Sequence, residues 1–157
     1  MRELSHQTGF TLVEVLIVIV LVVIIAKFAL TVSFDTYRAS SYHADRAYLI
    51  AALQHARALS VNDVCEGAAC TSGAPHGVSI QTDRYIVFQG SSYAARDPSF
   101  DEVIGVNPAI DRTGLDEVVF IPGSGDVSIP GDIALTDLSG RTSTVTIGSY
   151  GQISWSN

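Results

Sequence analysis

The stretch Gly9–Ala26, GFTLVEVLIVIVLVVIIA, decides the architecture of this chain. Its side chains are apolar on every side of a helix, except for one carboxylate, Glu14, near the start. A run of this length can enter the hydrocarbon core of a bilayer, about 30 Å thick, as a helix. A charged side chain in that core costs about 2.5–3.5 kcal/mol, so an acid kept there usually has a task. The sequence therefore predicts a membrane helix with a functional acid.

Glycine and proline divide the chain into a helical part and a turn-rich part. Neither occurs between Phe10 and Glu66, whereas the segment from Gly67 onward holds all 5 prolines and 12 of the 13 glycines. Both residue types are unfavourable inside a helix. We therefore expect one continuous helix from Phe10 to about Asn62. At 1.5 Å per residue it would be roughly 80 Å long, so half of it must lie outside the lipid.

The second half of this helix, residues 35–64, is amphipathic, unlike the first half, residues 10–34. Its apolar residues recur at steps of three and four, which gives it one face to bury. This face comprises Leu49, Leu53, Ala56 and either Leu59 or Ser60. The polar residues expected largely on the other faces, in solvent, are Arg38, Asp45, Arg46, Gln54 and Arg57. The simplest partner for the apolar face is the domain that follows, residues 65–157.

After Cys70 the sequence is typical of short antiparallel strands. HGVSIQT (76–82) and RYIVFQG (84–90) predict a hairpin around Asp83, and STVTIG (143–148) and GQISW (151–155) predict a second one. EVVFIP (117–122) predicts another strand, followed by a turn at GSGD. The segment 91–117 is expected to be an extended loop with one weak strand near Val103–Val106. The predicted fold class is α+β, with the long helix packed on a small antiparallel sheet.

The domain beyond Glu66 is strongly acidic. It has four arginines against ten acidic residues, a net charge of −6 out of −7 for the whole chain. Such a surface repels nucleic-acid phosphate at long range. The composition therefore disfavours nucleic acid as a partner.

Cys65 and Cys70 lie five positions apart in a polar stretch. A bridge between them would suit an exported domain and stabilise it by about 2 kcal/mol. Two cysteines without a histidine at zinc-finger spacing provide too few ligands for a metal site. A disulfide is favoured in an oxidising compartment, and free thiols are the alternative.

The residues GFTLVE at the start of the apolar run resemble the leader junction of type IV prepilins and of the pseudopilins of type II secretion systems. The resemblance implies that a prepilin peptidase removes residues 1–9 after Gly9 and methylates the new amino terminus at Phe10. It also implies that Glu14 pairs with the amino terminus of a neighbouring subunit during assembly. The alternatives are a secretory signal peptide, a plain single-pass anchor, and a Glu14 that snorkels to the membrane surface.

Two further segments resemble the GspH/FimT group of minor pilins. These are YLIAALQHARALSV (48–61) and the terminal stretch 118–155, in which Phe120 and Pro122 fit a Phe-x-Pro-x-Gly turn and Ser124 takes the glycine position. Thr31 occupies the place where many major pilins have a proline, which favours a minor subunit. The FimT members that bind DNA use basic residues near the carboxyl end, and GQISWSN has none. This difference also disfavours DNA binding.

Three acidic residues in the stretch DRTGLDE, Asp111, Asp116 and Glu117, are weak candidates for calcium. The stretch lacks the alternating ligands and central glycine of an EF-hand loop, so solvated loop acids are the favoured alternative. His43 and His55 share no ligand cluster. The sequence contains no Gly-x-Ser-x-Gly elbow and no phosphate loop, so we expect neither catalysis nor a cofactor.

These observations together predict a structural minor pilin or pseudopilin. The partners implied by the resemblance are other pilin subunits, the prepilin peptidase, membrane lipid before assembly, and an inner-membrane assembly platform with its ATPase. The expected location is the bacterial inner membrane, crossed once, with the globular domain in the periplasm or outside the cytoplasm. The alternatives are a filament-tip module that binds DNA or an adhesion target through residues 91–117, and a plain anchored domain.

Overall fold

The computed structural model describes residues 10–67, 70 and 72–157, and for residues 29–38 it describes the backbone alone. Helix α1 runs from Leu12 to Val61. Thr11 caps its amino end, because the backbone N–H of Glu14 donates to Thr11 Oγ1 at 3.3 Å. This bond pairs one of the N–H groups that the first turn leaves unsatisfied. The predicted continuous helix is confirmed.

The carboxyl end of α1 is closed by a residue in the left-handed region. Asp63 has φ 51°, a conformation that its short polar side chain tolerates better than most residues do. The next N–H, of Val64, donates to the carbonyl oxygen of Leu59 at 3.0 Å. This hydrogen bond pairs one of the carbonyl groups left open by the last turn. The helix therefore stops at a defined point, close to the predicted end at Asn62.

The chain divides into two compact units between Ser40 and Ser41. Among the described residues, 10–40 belong to the first unit. The second unit, residues 41–157, is called the globular unit below, and it includes the last turns of α1.

The globular unit contains two antiparallel sheets, each of four strands. The first sheet has the order β3-β2-β1-β5 and the second β4-β6-β7-β8. The strands are β1 His76–Ile80, β2 Arg84–Gln89, β3 Glu102–Gly105, β4 Asp111–Gly114, β5 Glu117–Phe120, β6 Gly131–Thr136, β7 Thr142–Ile147 and β8 Ile153–Ser156. Two short 3-10 turns, Tyr93–Ala95 and Pro98–Phe100, lie between β2 and β3.

Both predicted hairpins are present. Strands β1 and β2 pair antiparallel with Val78 opposite Val87, and β7 and β8 pair with Val145 opposite Trp155. The weak strand expected near Val103–Val106 is β3, which pairs with β2.

The α+β class is confirmed, although the β part differs from expectation in two respects. There are two sheets where one small sheet was expected, and strands β4 and β6 lie in segments that the sequence left without strands. Strand β4 has the sequence DRTG, with little of the β-branched and aromatic character that marks strands. Strand β6 buries only Ile133 and Leu135, in alternation. Pairing with β7, rather than local preference, accounts for it.

The core lies between the last turns of α1 and the two sheets. Leu49, Leu53 and Ala56 on the helix are fully buried, as predicted. They belong to one apolar cluster with residues of the first sheet (Val78, Tyr85, Phe120) and of the second sheet (Ile133, Leu135, Val145, Ile147). The amphipathic half of the helix therefore buries its apolar face against the globular unit's own strands, which confirms the predicted partner.

Ser60 resolves the choice left open between Leu59 and Ser60. Ser60 is fully buried, whereas Leu59 is half-buried. The Ser60 hydroxyl donates to the carbonyl oxygen of Phe120 at 3.2 Å and accepts from the N–H of His76 at 2.9 Å. One helical hydroxyl therefore connects α1 to β5 and β1.

The expectation that Asp45 lies in solvent is wrong. Asp45 is 2% exposed, on the same helix face as Leu49. Its carboxylate accepts hydrogen bonds from the Tyr85 hydroxyl at 2.5 Å and from the Arg112 guanidinium. Burial raises the pKa of the Asp45 carboxyl, and the bonds from Tyr85 and Arg112 oppose that rise. The physical reason for the burial is this pairing, since a buried charge needs a hydrogen-bonded partner.

Arg112, on β4, donates hydrogen bonds from all three of its guanidinium nitrogens. Its Nε donates to the Tyr85 hydroxyl at 2.9 Å, and Nη1 donates to the carbonyl oxygens of Thr82 and Ile110 at 2.7 and 2.8 Å. Because Tyr85 lies on β2 and Asp45 on α1, this buried cluster of Asp45, Tyr85 and Arg112 links the helix to both sheets.

Candidate assembly site in the amino-terminal helix

The amino end of α1 places an acid in the first turn of the helix. Phe10 precedes the helix and is 82% exposed, and Glu14 lies in the first helical turn. A carboxylate in this position is favourable, because the unpaired N–H groups of the first turn carry partial positive charge. The Thr11 cap fixes where the helix starts and so fixes the position of Glu14 along it.

The first unit leaves its apolar side chains uncovered. All the described side chains from Leu12 to Phe28 are exposed, and the large apolar ones among them are 47% to 81% exposed. A contiguous apolar surface of this kind on a soluble chain marks contact with a membrane or with another protein. The surface therefore requires a cover.

The structure has no helix, among the residues it describes, that is long and apolar enough to cross a membrane.

The residues predicted from the leader junction divide into two groups. Gly9 and the expected leader, residues 1–9, lie outside the described residues. Phe10 and Glu14 are described, and they lie at the start of the uncovered apolar surface. The predicted roles of Gly9 as cleavage site, of Phe10 as methylation site and of Glu14 in assembly remain predictions.

Cys65 and Cys70 are joined by a disulfide, as predicted, with their Cα atoms 5.7 Å apart. The loop they close is fixed to the end of β2 by Gln89. The Gln89 side chain accepts from the backbone N–H of Glu66 at 2.7 Å and donates to the Glu66 carbonyl oxygen at 2.9 Å. This loop follows α1 directly and belongs to the globular unit.

The calcium candidates are distributed over two strands and the turn between them. Asp111 is exposed at the start of β4, Asp116 lies between the strands, and Glu117 begins β5. Glu117 Oε2 accepts the backbone N–H of Tyr93 at 2.9 Å, so this carboxylate already holds a 3-10 turn. Among the described residues, no group of three or more His, Cys, Asp or Glu residues is arranged to hold a metal ion.

The histidines have separate roles. His55 Nε2 lies 3.2 Å from the Glu102 carboxylate on the surface. His76 is buried on β1, where burial lowers the pKa of its imidazole. Among the contacts of the described residues, no Ser, Thr or Cys side chain is hydrogen-bonded to either ring.

Sequence reasoning missed the buried cluster of Asp45, Tyr85 and Arg112. A signal for Asp45 was present, because it lies four residues before Leu49 and so falls on the buried helix face. No pattern in the sequence predicted that Arg112 would contact Asp45, because the segment around Arg112 lacks the residues typical of strands.

One of three comparisons with known proteins gave a match. The model of the prokaryotic N-terminal methylation motif matches residues 4–26. This motif is typical of type IV prepilin-like proteins, and it indicates a pilin-like precursor that is processed and methylated at its amino end. It further indicates membrane anchoring, a periplasmic or surface location, and interaction with other pilins and with the prepilin peptidase. No curated protein and no solved structure matches the chain.

Proposed function

We propose that this chain is a minor pilin or pseudopilin, a structural subunit that is held in the bacterial inner membrane and assembled into a filament. The filament would be a type IV pilus or the pseudopilus of a type II secretion system, which the chain joins or primes. One observation carries the proposal: the methylation motif over residues 4–26 coincides with a helix start whose apolar side chains are uncovered.

Two environments would shield this apolar surface from water, one before assembly and one after it. Lipid would surround residues 10–34 before assembly, and helices of neighbouring subunits would replace the lipid in the filament. Leaving the surface in water would cost about 25 cal/mol for each Å² of apolar area. Because extraction from lipid needs work, we assign it to an inner-membrane assembly platform and its ATPase.

Glu14 would align each incoming subunit. After cleavage following Gly9, the amino group of Phe10 becomes a cation, and a neighbouring subunit's Glu14 can pair with it. Such a pair is attractive in a medium of low dielectric constant, where an unpaired charge is costly. Among the described residues, the first turn holds no side chain that pairs with Glu14. The Thr11 cap fixes the helix start and so keeps the Glu14 carboxylate in the first helical turn.

The proposed division of the chain follows from these roles. Residues 1–9 form the leader, 10–34 the membrane and filament-core helix, 35–64 the amphipathic helix, and 65–157 the β-rich domain. Thr31 supports the assignment to a minor subunit, since it stands where many major pilins have a proline. The resemblance of residues 48–61 and 118–155 to the GspH/FimT group supports the same assignment.

Intact mass and amino-terminal sequencing of the full chain from its native membrane test the proposal. The wild type is expected to begin with a methylated Phe10. Glu14→Gln is expected to give the same mature terminus, because the carboxylate acts after cleavage, but to be lost from the sheared filament fraction. Glu66→Gln, which removes an exposed acid of the globular unit, is the matched control and is expected to behave as wild type.

Two results would reject the proposal. A chain that keeps Met1 would be a plain single-pass anchor, and a cut after the apolar run would identify a secretory signal peptide. A Glu14→Gln variant that enters filaments as well as the wild type would remove the assembly role of Glu14 while leaving the processing intact.

A further inference from the structure

Almost all arginines of the globular unit interact with other residues of the same unit through ion pairs or ring contacts. Residues 41–157 contain six arginines and thirteen acidic residues. Four of the arginines pair with carboxylates: Arg84 with Asp83, Arg96 with Asp101, Arg112 with Asp45 and Arg141 with Asp137. A fifth, Arg46, lies over the Trp155 ring at 3.9 Å and donates to Asn157.

Arg57 is the exception. No carboxylate among the described residues pairs with it, and its one hydrogen bond runs from Nη2 to the carbonyl oxygen of Tyr150, at a long 3.3 Å. Its Nε is buried without a hydrogen-bond partner. A guanidinium has five N–H donors, and a buried donor left unpaired costs about 1–3 kcal/mol. Most of the hydrogen-bonding capacity of Arg57 is therefore unused.

A cleft of about 500 Å³ lies beside Arg57. One wall is formed by α1 from Gln54 to Val61 and by Asn62 just after it. The other is formed by Gly151 and Gln152, which lead into β8, and by Ile153 at its start. Gln152 uses its Oε1 to accept from the N–H of Tyr150 at 3.1 Å, which leaves its amide nitrogen as a donor. The cleft therefore combines a cation with side-chain amides, and no carboxylate of a described residue lines it.

Two other clefts of the globular unit differ in this respect. One is lined by the acids Glu66, Asp101 and Glu102 beside two histidines. The other is lined by Asp111 and Asp116 beside Arg112, whose charge is already paired with Asp45. On a unit with so many acids, an anion would be repelled at these two clefts and attracted at the Arg57 cleft.

Two glycines hold the Arg57 side chain in place. Gly151 has φ 69°, and a Cβ on it would lie 2.1 Å from the carbonyl oxygen of Gly125 and 2.7 Å from Arg57 Nε. A Cβ on Gly125 would lie 3.3 Å from the same Nε. The backbone therefore packs closely around the guanidinium stem, and a fixed side chain loses less entropy when it binds a ligand.

We propose that the Arg57 cleft is the docking site for a carboxylate presented by a different pilin-like subunit of the same filament. Arginine and a carboxylate form the strongest side-chain pairing available in such a cleft. A second copy of this chain is the poorer occupant, because two globular units with thirteen acids each repel one another. The inference rests on the proposed function, since it needs a filament with neighbours.

Zero-length crosslinking of the full chain in its native host tests this proposal. Arg57→Lys places an amine in the cleft, and a carbodiimide joins an amine to a carboxylate that touches it. Arg84→Lys is the matched control, because Arg84 is a surface arginine whose partner is its own neighbour Asp83. Lys27, the chain's natural lysine, is present in both variants, so its products cancel in the comparison.

The expected product is an isopeptide bond between the amine that Arg57→Lys introduces and an Asp or Glu of another subunit that carries a methylation motif. It should appear only in the filament fraction of Arg57→Lys, and mass spectrometry should map it. A bond to a second copy, to an unrelated protein or to this chain's own acids alone would overturn the proposal, as would the absence of any bond in assembled filaments. A correctly processed Phe10 terminus in those same samples would leave the proposed function standing.

A second variant tests the proposal without a crosslinking reagent. Arg57→Gln keeps much of the size of the side chain and removes its charge, and it is expected to lower the assembled fraction at least tenfold. Processing and the amount of protein in the membrane should stay at the wild-type level, and Arg84→Gln should assemble normally. Equal assembly of Arg57→Gln and wild type would overturn the docking site, whereas unprocessed protein in every sample would overturn the proposed function along with it.

Discussion

Asp45 is a single residue on which the attachment of the helix to both sheets depends. It is buried, and its two partners, Tyr85 and Arg112, come from strands of different sheets. Such a charge is tolerated because its partners satisfy it, so removing Asp45 leaves the Arg112 charge buried without a counter-ion.

We predict that Asp45→Ala destabilises the chain by about 3–5 kcal/mol, because it leaves the Arg112 cation buried without its partner. Urea unfolding of the full chain in detergent, followed by tryptophan fluorescence, measures the change. The double variant Asp45→Leu with Arg112→Met should lose less than Asp45→Ala, since it leaves no buried charge. Equal losses in both variants would show that packing, rather than the charge, dominates.

Asp137 provides a pH dependence of known sign. Hydrogen bonds from Ser139, and then from Arg141, hold the pKa of the Asp137 carboxyl well below its usual range. A carboxyl with a lowered pKa in the folded state stabilises the fold above the unfolded value of about 3.9, and the contribution is lost as pH falls below it. We predict that wild type loses more stability than Asp137→Asn between pH 7 and pH 3. Urea midpoints at the two pH values measure this, and equal losses would contradict it.

Single residues also show where sequence reasoning ends. The positions of Leu49, Leu53 and Ala56 follow from helical periodicity, and all three are buried as predicted. Asp45 lies on the same face, but because its side chain is charged it was expected in solvent. The structure shows the two partners that allow its burial. Helical periodicity predicts on which face of the helix a residue lies. The burial of the Asp45 charge depends instead on Arg112, which lies 67 residues further along the chain.

Among the elements, the disulfide loop is a short closure between α1 and β1. We predict that Cys65→Ser with Cys70→Ser destabilises the chain by about 2 kcal/mol, through the entropy that the unfolded chain regains. Reduction of the wild type should give the same shift of the urea midpoint, and reduction of the double variant should give none. A shift in the reduced double variant would mean that the reductant acts elsewhere.

The turn before β8 is sensitive to a small substitution. We predict that Gly151→Ala destabilises the chain by more than about 1 kcal/mol, because the added Cβ would lie 2.1 Å from the Gly125 carbonyl oxygen, at a residue with φ 69°. Gly140→Ala is a useful control, since Gly140 has φ 82° but no atom within 4 Å of its added Cβ. Similar thermal midpoints for the two variants would mean that backbone strain, not crowding, sets the cost.

Elements with a strong local pattern were predictable, and the others were not. The helix and the two hairpins follow from glycine and proline placement and from alternating β-branched residues. Strand β4 pairs with β6, and β6 pairs with β7, an arrangement that no local pattern encodes. At the candidate site, the order of residues in GFTLVE predicted the methylation motif, and the apolar run predicted the uncovered surface beside Glu14. The Thr11 cap needed the structure.

At the scale of the whole molecule, charge sets the choice of partners. The globular unit is acidic, and four of its six arginines are occupied by its own carboxylates. We predict that the full chain in detergent shows no shift of duplex DNA even at low salt, where electrostatic binding is strongest. Binding that weakens with added salt would contradict this and would favour a DNA-binding module at a filament tip.

The buried cluster of Asp45, Tyr85 and Arg112 also bears on the order of folding. The β7–β8 hairpin joins residues close in sequence, whereas the bond from Arg112 to Asp45 closes a segment of 67 residues. Closing a long loop costs more entropy, so the hairpins should form before the helix docks on both sheets. Asp45→Asn should then speed unfolding and leave the refolding rate nearly unchanged, as stopped-flow kinetics can measure. We therefore expect the helix to be the first part to separate from the sheets when the unit is heated.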